Sequence, residues 1–241
     1  MPTQTFFNLP EEKRQTIIKL AIAEFASHDY ETASISNIVK QAKIAKGSLY
    51  QYFEDKKYLY LYLIDLANQQ KIAFLQNAHP PEPQMGFFPY LRWLFSISAR
   101  FDLTHPDLSQ IVNRAVYGDV PFRDEVLQRT KKGSVEYIQQ LVSQGIAQGD
   151  INSDIDPDLA TFIILTLAEG LRNFIPEKIG IDPQQLADKV PIDLDMQAVE
   201  KIFDDLILVL EQGLGSKSSA SNGKETPQVK NVVTRLTDTR K

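Results

Sequence analysis

Apolar positions recur at helical spacing along most of this chain. Ile17, Ile18, Ala21, Ile22 and Phe25 follow the i, i+4, i+8 pattern of a helix with one buried face, and Asn8, Pro10 and Glu11 supply its start. Residues 1–8 carry no such pattern and read as frayed, and 27–32 read as a turn. Ile35, Ile38, Val39 and Ala42 predict a second, short helix; Ile44 fills the joint after it, and Leu49 with Phe53 marks the apolar stripe of a third. Leu59, Leu63, Leu66 and Ile72, flanked by Tyr58, Tyr60 and Tyr62, predict an uninterrupted helix over 56–78. Pro80, Pro81 and Pro83 stop it, because proline cannot continue a helix. Further helices follow at 87–102, 106–117, 121–148, 157–175 and 195–212, with Gly145 and Gly149 marking a fraying end. Residues 176–195 read as a connection with a helical turn or two after Asp182-Pro183. No strand pattern competes.

The fold class is therefore all-α. A three-helix N-terminal domain, 8–55, is joined by a long helix to a helical C-terminal domain, 56–213. The Ser-, Lys- and Thr-rich tail 214–241 has little to bury and is expected to be disordered. The three-helix unit is small for independent stability and should lean on the helix that follows.

The second and third helices make a helix-turn-helix. The outward face of the third carries Lys46, Gly47, Ser48, Tyr50, Gln51 and Tyr52. Cations, hydroxyls and an amide are the groups that meet phosphate oxygens and base edges. A net charge of −5 argues against nucleic acid until its distribution is considered. Residues 1–60 hold eight Lys/Arg and seven Asp/Glu, 61–213 hold twelve and twenty-two, and the tail holds six and two. The acidity belongs to the middle of the chain, so a local basic surface of Lys40, Lys43, Lys46, Lys56 and Lys57 remains for DNA. There is no cysteine, hence no disulfide or zinc-thiolate site. The runs of apolar residues are short for a bilayer and the N-terminus lacks a signal-peptide pattern, so a cytoplasmic protein without a membrane partner is expected. His28, His79 and His105 lack ligand spacing, no phosphate-binding glycine loop or nucleophile elbow is present, and neither an enzyme nor a cofactor is expected.

Residues 14–60 resemble the DNA-binding domain of the TetR family of transcriptional regulators. The resemblance rests on Ile17, Ala21, Phe25, Tyr30 and the run Ser34 to Val39. It rests above all on Ile44-Ala45-Lys46-Gly47-Ser48-Leu49-Tyr50-Gln51-Tyr52-Phe53, followed by Lys56 and Leu59. Three positions depart from the family: Asp29 and Lys43 stand where glycine is common, and Ala45 stands where a helix-capping serine is common. The resemblance implies a homodimeric repressor that binds a palindromic duplex and is released by a small apolar or amphipathic effector. A helical carrier protein without sequence-specific DNA binding is the alternative.

By the same resemblance Lys46, Gly47, Tyr50 and Lys56 meet the DNA backbone, with Gly47 allowing close approach. Ser34 and Ser36 cap the first helix of the motif or bond phosphate, and Gln51 and Tyr52 are candidates for base edges. An effector pocket would draw on Phe74, Trp93, Phe95, Phe101, Tyr117, Phe122, Tyr137, Phe162 and Phe174, which an ordinary core would equally explain. Arg92, Arg100, Arg114 and Arg172 would meet an anionic head group or stand as surface charges. Dimerisation would use Phe162, Leu167, Leu171, Val199, Ile202, Phe203, Leu206 and Leu210 in a four-helix bundle, with packing inside one subunit as the alternative.

Overall fold

The structure, a computed structural model, describes residues 1–82, 85–180 and 195–216. Its helices are α1 (Gln4–Phe7), α2 (Glu11–Ser27), α3 (Ile35–Gln41), α4 (Lys46–Tyr52), α5 (Lys56–Asn77), α6 (Phe87–Thr104), α7 (Pro106–Tyr117), α8 (Arg123–Gln148), α9 (Pro157–Lys178) and α10 (Met196–Leu214). Several begin where the side chains dictate. Asp55 caps α5 by accepting the Tyr58 N–H at 2.9 Å, and Asp156 caps α9 from the Asp158 and Leu159 N–H groups. Among the described residues the extended pairing amounts to one isolated bridge, Ile151 to Gly215.

Two large apolar cores hold the helices together. The first joins Ile17, Phe25, Ile38, Leu49, Phe53, Leu59 and Leu63 to Ile111, Ala115, Val116 and Val126. The N-terminal unit thus leans not only on α5 but also on α7, and the core runs across the expected boundary at 55. The second core joins Phe87, Leu91, Phe95, Val142, Ile164, Val199, Phe203 and Leu210. A small third cluster, Ala67, Phe101 and Leu108 with Phe74 against it, borders the first core through Ile22 and Val112, which pack against both.

Several expectations need correction. Residues 1–8 are not frayed: 4–7 are helical and Phe6 is fully buried. The heptad-like stripe of α10 packs within its own chain, since Val199, Phe203 and Leu210 are buried against α6 and the rings of Phe95 and Phe203 lie 6.5 Å apart. Ile202, Leu206, Leu167 and Leu171 pack half-buried against that same core. The large apolar side chains left outward on these two helices are Leu159, Phe162 and Phe174 on α9 (Phe162 64% exposed) and Leu208 and Val209 on α10 (Val209 66% exposed). α9 is long and apolar enough, by length and composition alone, to cross a bilayer, which the short apolar runs had hidden. The expected connection at 176–195 and the tail fall mostly outside the described residues. The start of the tail is pinned, with the Asn152 N–H donating to the Leu214 carbonyl and the Ser216 N–H to the Asp150 carbonyl.

Gly145 is also more than a fraying residue. A Cβ there would stand 2.9 Å from Cδ2 of Phe87 and 3.0 Å from Cδ1 of Ile151, so its lack of a side chain lets α8 close on the second core. Gly149, at φ 82°, then ends the helix in the left-handed region. Gly145→Ala should cost about 1–3 kcal/mol by overpacking, although alanine is the better helix former. Gly133→Ala, with open space around its added methyl, should instead gain up to about 1 kcal/mol. Denaturant melts of the two variants check this, and destabilisation of equal size would remove the packing explanation.

Candidate nucleic-acid interface

α3 and α4 are set in place by a buried acid and a tight turn. Glu24, near the end of α2, is buried, and its carboxylate accepts the Ser34 N–H at 2.7 Å and the Asn37 side-chain amide at 3.4 Å. That fixes the start of α3 to the end of α2. Ser34 is the cap of α3, its hydroxyl accepting the Asn37 N–H at 3.2 Å, while Ser36 is exposed in the first turn. α3 ends in a Schellman motif: the Ile44 N–H donates to the Val39 carbonyl and the Lys43 N–H to the Lys40 carbonyl. Lys43 takes φ 53°, the left-handed conformation the family pattern assigns to glycine. Its side chain stays exposed, and Ile44 turns into the first core.

α4 is only seven residues long, and Ala45, the residue at its N-cap, has no side chain to cap it. Two faces separate along it. Leu49, Tyr52 and Phe53 point inward and are buried. Lys46, Gly47, Tyr50 and Gln51 point outward, Tyr50 being 46% exposed, and Ser48 is half-buried between the faces. Space around Gly47 is open: a Cβ there would meet nothing within 4 Å. The protein's own packing therefore does not require glycine at this position. Ser36, Lys40 and Lys43 of the same helix-turn-helix are exposed as well.

Two expected contacts move inward. Tyr52 is only 5% exposed and packs against Phe6, so it has no free edge to offer a base. Its spacing of three from Leu49 puts it on the buried stripe, where its ring counts for more than its hydroxyl. Lys56 is turned back on its own chain, donating to the Glu31 carbonyl at 3.1 Å and lying 4.8 Å over the Tyr30 ring. Burial pulls its ammonium below the usual lysine range, against the opposing pull of Glu31 and Glu24. Lys57 likewise pairs with Glu125 at 2.9 Å, tying α5 to α8.

Two features escaped the sequence reading. Arg114 of α7 donates through Nε to the Ala26 carbonyl at 3.1 Å and pairs with the Asp29 carboxylate. Asp29 is thus not a strained substitute for glycine, since Lys43 is the one non-glycine residue at positive φ among those described. The other feature is the segment from Thr3 to Phe7, which abuts the end of α4.

The aromatic residues named for a pocket do not gather in one place. Phe122 belongs to the first core, 4.9 Å from Tyr30, and Phe95 belongs to the second. Trp93 sits beside Tyr90, which hydrogen-bonds Tyr137. Tyr117, Phe162 and Phe174 are exposed. Phe74 and Phe101 do meet, 5.4 Å apart, with His105 stacked on Phe101. Beside them Asp102 holds Lys71 at 2.9 Å and Ser109 at 2.7 Å, with Arg172 at 3.7 Å. Arg92 is engaged by Glu200 and Asp204, and Arg100 is exposed. Among the described residues no three acids or histidines gather as metal ligands.

Comparison with known proteins bears on both halves. Residues 17–63 match the model of the family described as bacterial regulatory proteins, tetR family, and residues 85–215 match that of the tetracyclin repressor-like C-terminal domain. A TetR family transcriptional regulator of Chloroflexus aurantiacus, solved by crystallography, is 44% identical, with a TM-score of 0.76 over 89% of this chain and 99% of that one. The transcriptional regulator SrpR of Pseudomonas putida is 28% identical over 68% of this chain and 77% of its own length. FadR of Bacillus subtilis, solved in complex with stearoyl-CoA, shares the fold at a TM-score of 0.60 and 20% identity, over 80% of this chain and 96% of that one.

Because Lys43 holds a left-handed conformation, Lys43→Gly should raise stability by about 1 kcal/mol. A thermal or denaturant melt measures this, and a drop in stability would mean that the lysine is held there by contacts the turn itself needs.

Proposed function

The chain belongs to the TetR family of bacterial regulatory proteins, and we propose that it is a homodimeric, ligand-responsive repressor that binds a palindromic operator. The observation that carries the DNA reading is the outward row on α4. Lys46, Tyr50 and Gln51 are exposed side by side, and Gly47 has no packing reason of its own to be glycine. A duplex pressed against the helix supplies that reason. In this reading Ser36, Lys46 and Tyr50 meet phosphates and Gln51 bonds a base edge. Ser34 serves as a cap first. The recognition helices of a dimer would enter successive major grooves, about 34 Å apart along the duplex.

The outward Leu159, Phe162, Leu208 and Val209 support a dimer face on α9 and α10. Exposed large apolar groups at this density call for a partner surface. Such a face also accounts for the apolar character of α9, in a protein working in the cytoplasm by binding and not by catalysis. An effector lodged among α5, α6 and α7, near Phe74 and Phe101, would bias the position of the DNA-reading unit only if it prefers one arrangement. The stearoyl-CoA complex of FadR supports a search among amphipathic molecules.

Gly47→Ala separates folding from DNA binding. Stability should hold or rise by up to about 1 kcal/mol, while affinity for DNA upstream of the protein's own gene falls in a mobility shift at low salt. Gln51→Ala should instead alter which duplex is preferred. If no duplex is preferred over random DNA, the repressor reading fails. For the dimer, Val209→Glu with Phe162→Glu should halve the sedimenting mass at micromolar concentration, and a wild-type monomer would overturn this part of the proposal.

A further inference from the structure

We propose that the N-terminal segment Thr3–Phe7 is a positioning device for the recognition helix, and that through it the chain sets how Gln51 meets a base. This rests on the DNA-binding reading above and adds residues that lie ahead of the matched family region, which begins at 17.

The contacts are specific to the end of α4. A helix leaves its last carbonyls without partners inside the helix. Here two are met from outside: the Thr3 N–H donates to the Tyr52 carbonyl at 2.9 Å, and the Thr3 hydroxyl to the Gln51 carbonyl at 2.6 Å. The residue whose side chain faces outward is thus gripped by its own backbone. Three residues on, Phe6 is fully buried, its ring 6.0 Å from Tyr52, 4.8 Å from Phe53 and 5.8 Å from Tyr62. Phe6 therefore stands as a wedge between the tip of α4 and the long helix α5.

The segment is itself anchored on α2. Arg14 donates to the Phe7 carbonyl at 2.8 Å, and the Gln4 and Asn8 side chains bond each other at 3.0 Å. The Leu9 N–H returns to the Phe6 carbonyl at 3.2 Å. Three helices are tied through one short stretch, and the seven-residue α4, uncapped at Ala45, receives its polar tether at the far end. A helix this short has little stability of its own. Its rotation about its axis is set by what holds its two ends, and rotation decides where Gln51 points.

The test uses the full chain and a duplex that the wild-type protein selects from a randomised pool. A second duplex carries the base change to which Gln51→Ala is indifferent. Thr3→Val keeps the side-chain shape and loses the hydroxyl. It should weaken binding to the selected duplex about five- to tenfold, the size of one lost hydrogen bond, and erase the preference between the two duplexes. Affinity for random duplex, its salt dependence and the sedimenting mass should stay as in wild type. Phe6→Leu should retain the preference and Phe6→Ala should lose it. Retained preference in Thr3→Val, or an equal loss on selected and random duplex, overturns the proposal and leaves the regulator reading standing. A wild-type protein that selects no duplex overturns both.

Discussion

A helix of seven residues cannot hold itself in water, and that constraint governs the DNA-reading end of this molecule. Everything that fixes α4 comes from elsewhere: Leu49, Tyr52 and Phe53 sunk in the first core, the turn at Lys43 before it, and Thr3 at its end. The core therefore has a positional task besides a stabilising one. Close packing transmits small shifts because a well-filled interior has few voids to absorb them. The outward side chains can be read as a rigid row only because the inward ones leave the helix no freedom to roll.

The two halves of the chain are joined by more than the long helix between them. α7 buries Ile111, Ala115 and Val116 in the same core that holds α4, and its Arg114 reaches the end of α2 and the turn at Asp29. Near its start, Ser109 bonds Asp102, which also holds Lys71 and approaches Arg172. Burial lowers the proton affinity of Lys71, with Asp102 working against that shift. Ion pairs from Lys57 and Asp65 on α5 to Glu125 and Arg129 on α8 complete the cross-links. A displacement of α7 would thus be felt at both ends of a short rigid element, one beside the aromatic cluster of Phe74 and Phe101 and one at the DNA-reading unit.

Much of this was visible in the apolar periodicity. The stripes from Ile17 to Phe25, from Leu59 to Leu66 and in α10, with Ile163, Leu167 and Leu171 of α9, are residues that form or border the cores. The left-handed turn at Lys43 and the uncapped Ala45 followed from departures at positions with a defined conformational need. Periodicity fails where residue chemistry points two ways. Tyr52 looked polar by its hydroxyl and is buried by its ring, and the α10 stripe looked intermolecular because sequence does not say which of two apolar surfaces a helix meets first. Thr3 and Phe6 were missed for a different reason. Their partners are about 50 residues away, and a single buried phenylalanine with a hydroxyl three positions earlier makes no repeating pattern. Arg114 with Asp29 is the same case, a pairing between distant residues that spacing cannot reveal.

The continuity of the first core has a consequence for building hybrid regulators from this chain. A cut at residue 55 looks natural in one dimension, since it falls between α4 and α5. In three dimensions it separates Leu49 and Phe53 from Ile111, Ala115 and Val116, and Asp29 from Arg114. A graft that carries residues 1–55 onto a foreign body would bring its reading surface without the wall that surface is mounted on. A transplantable piece is discontinuous: the N-terminal helices and α5 together with the matching face of α7. Swapping DNA specificity into or out of this scaffold is therefore better done by exchanging the outward residues of α3 and α4 in place than by exchanging whole segments.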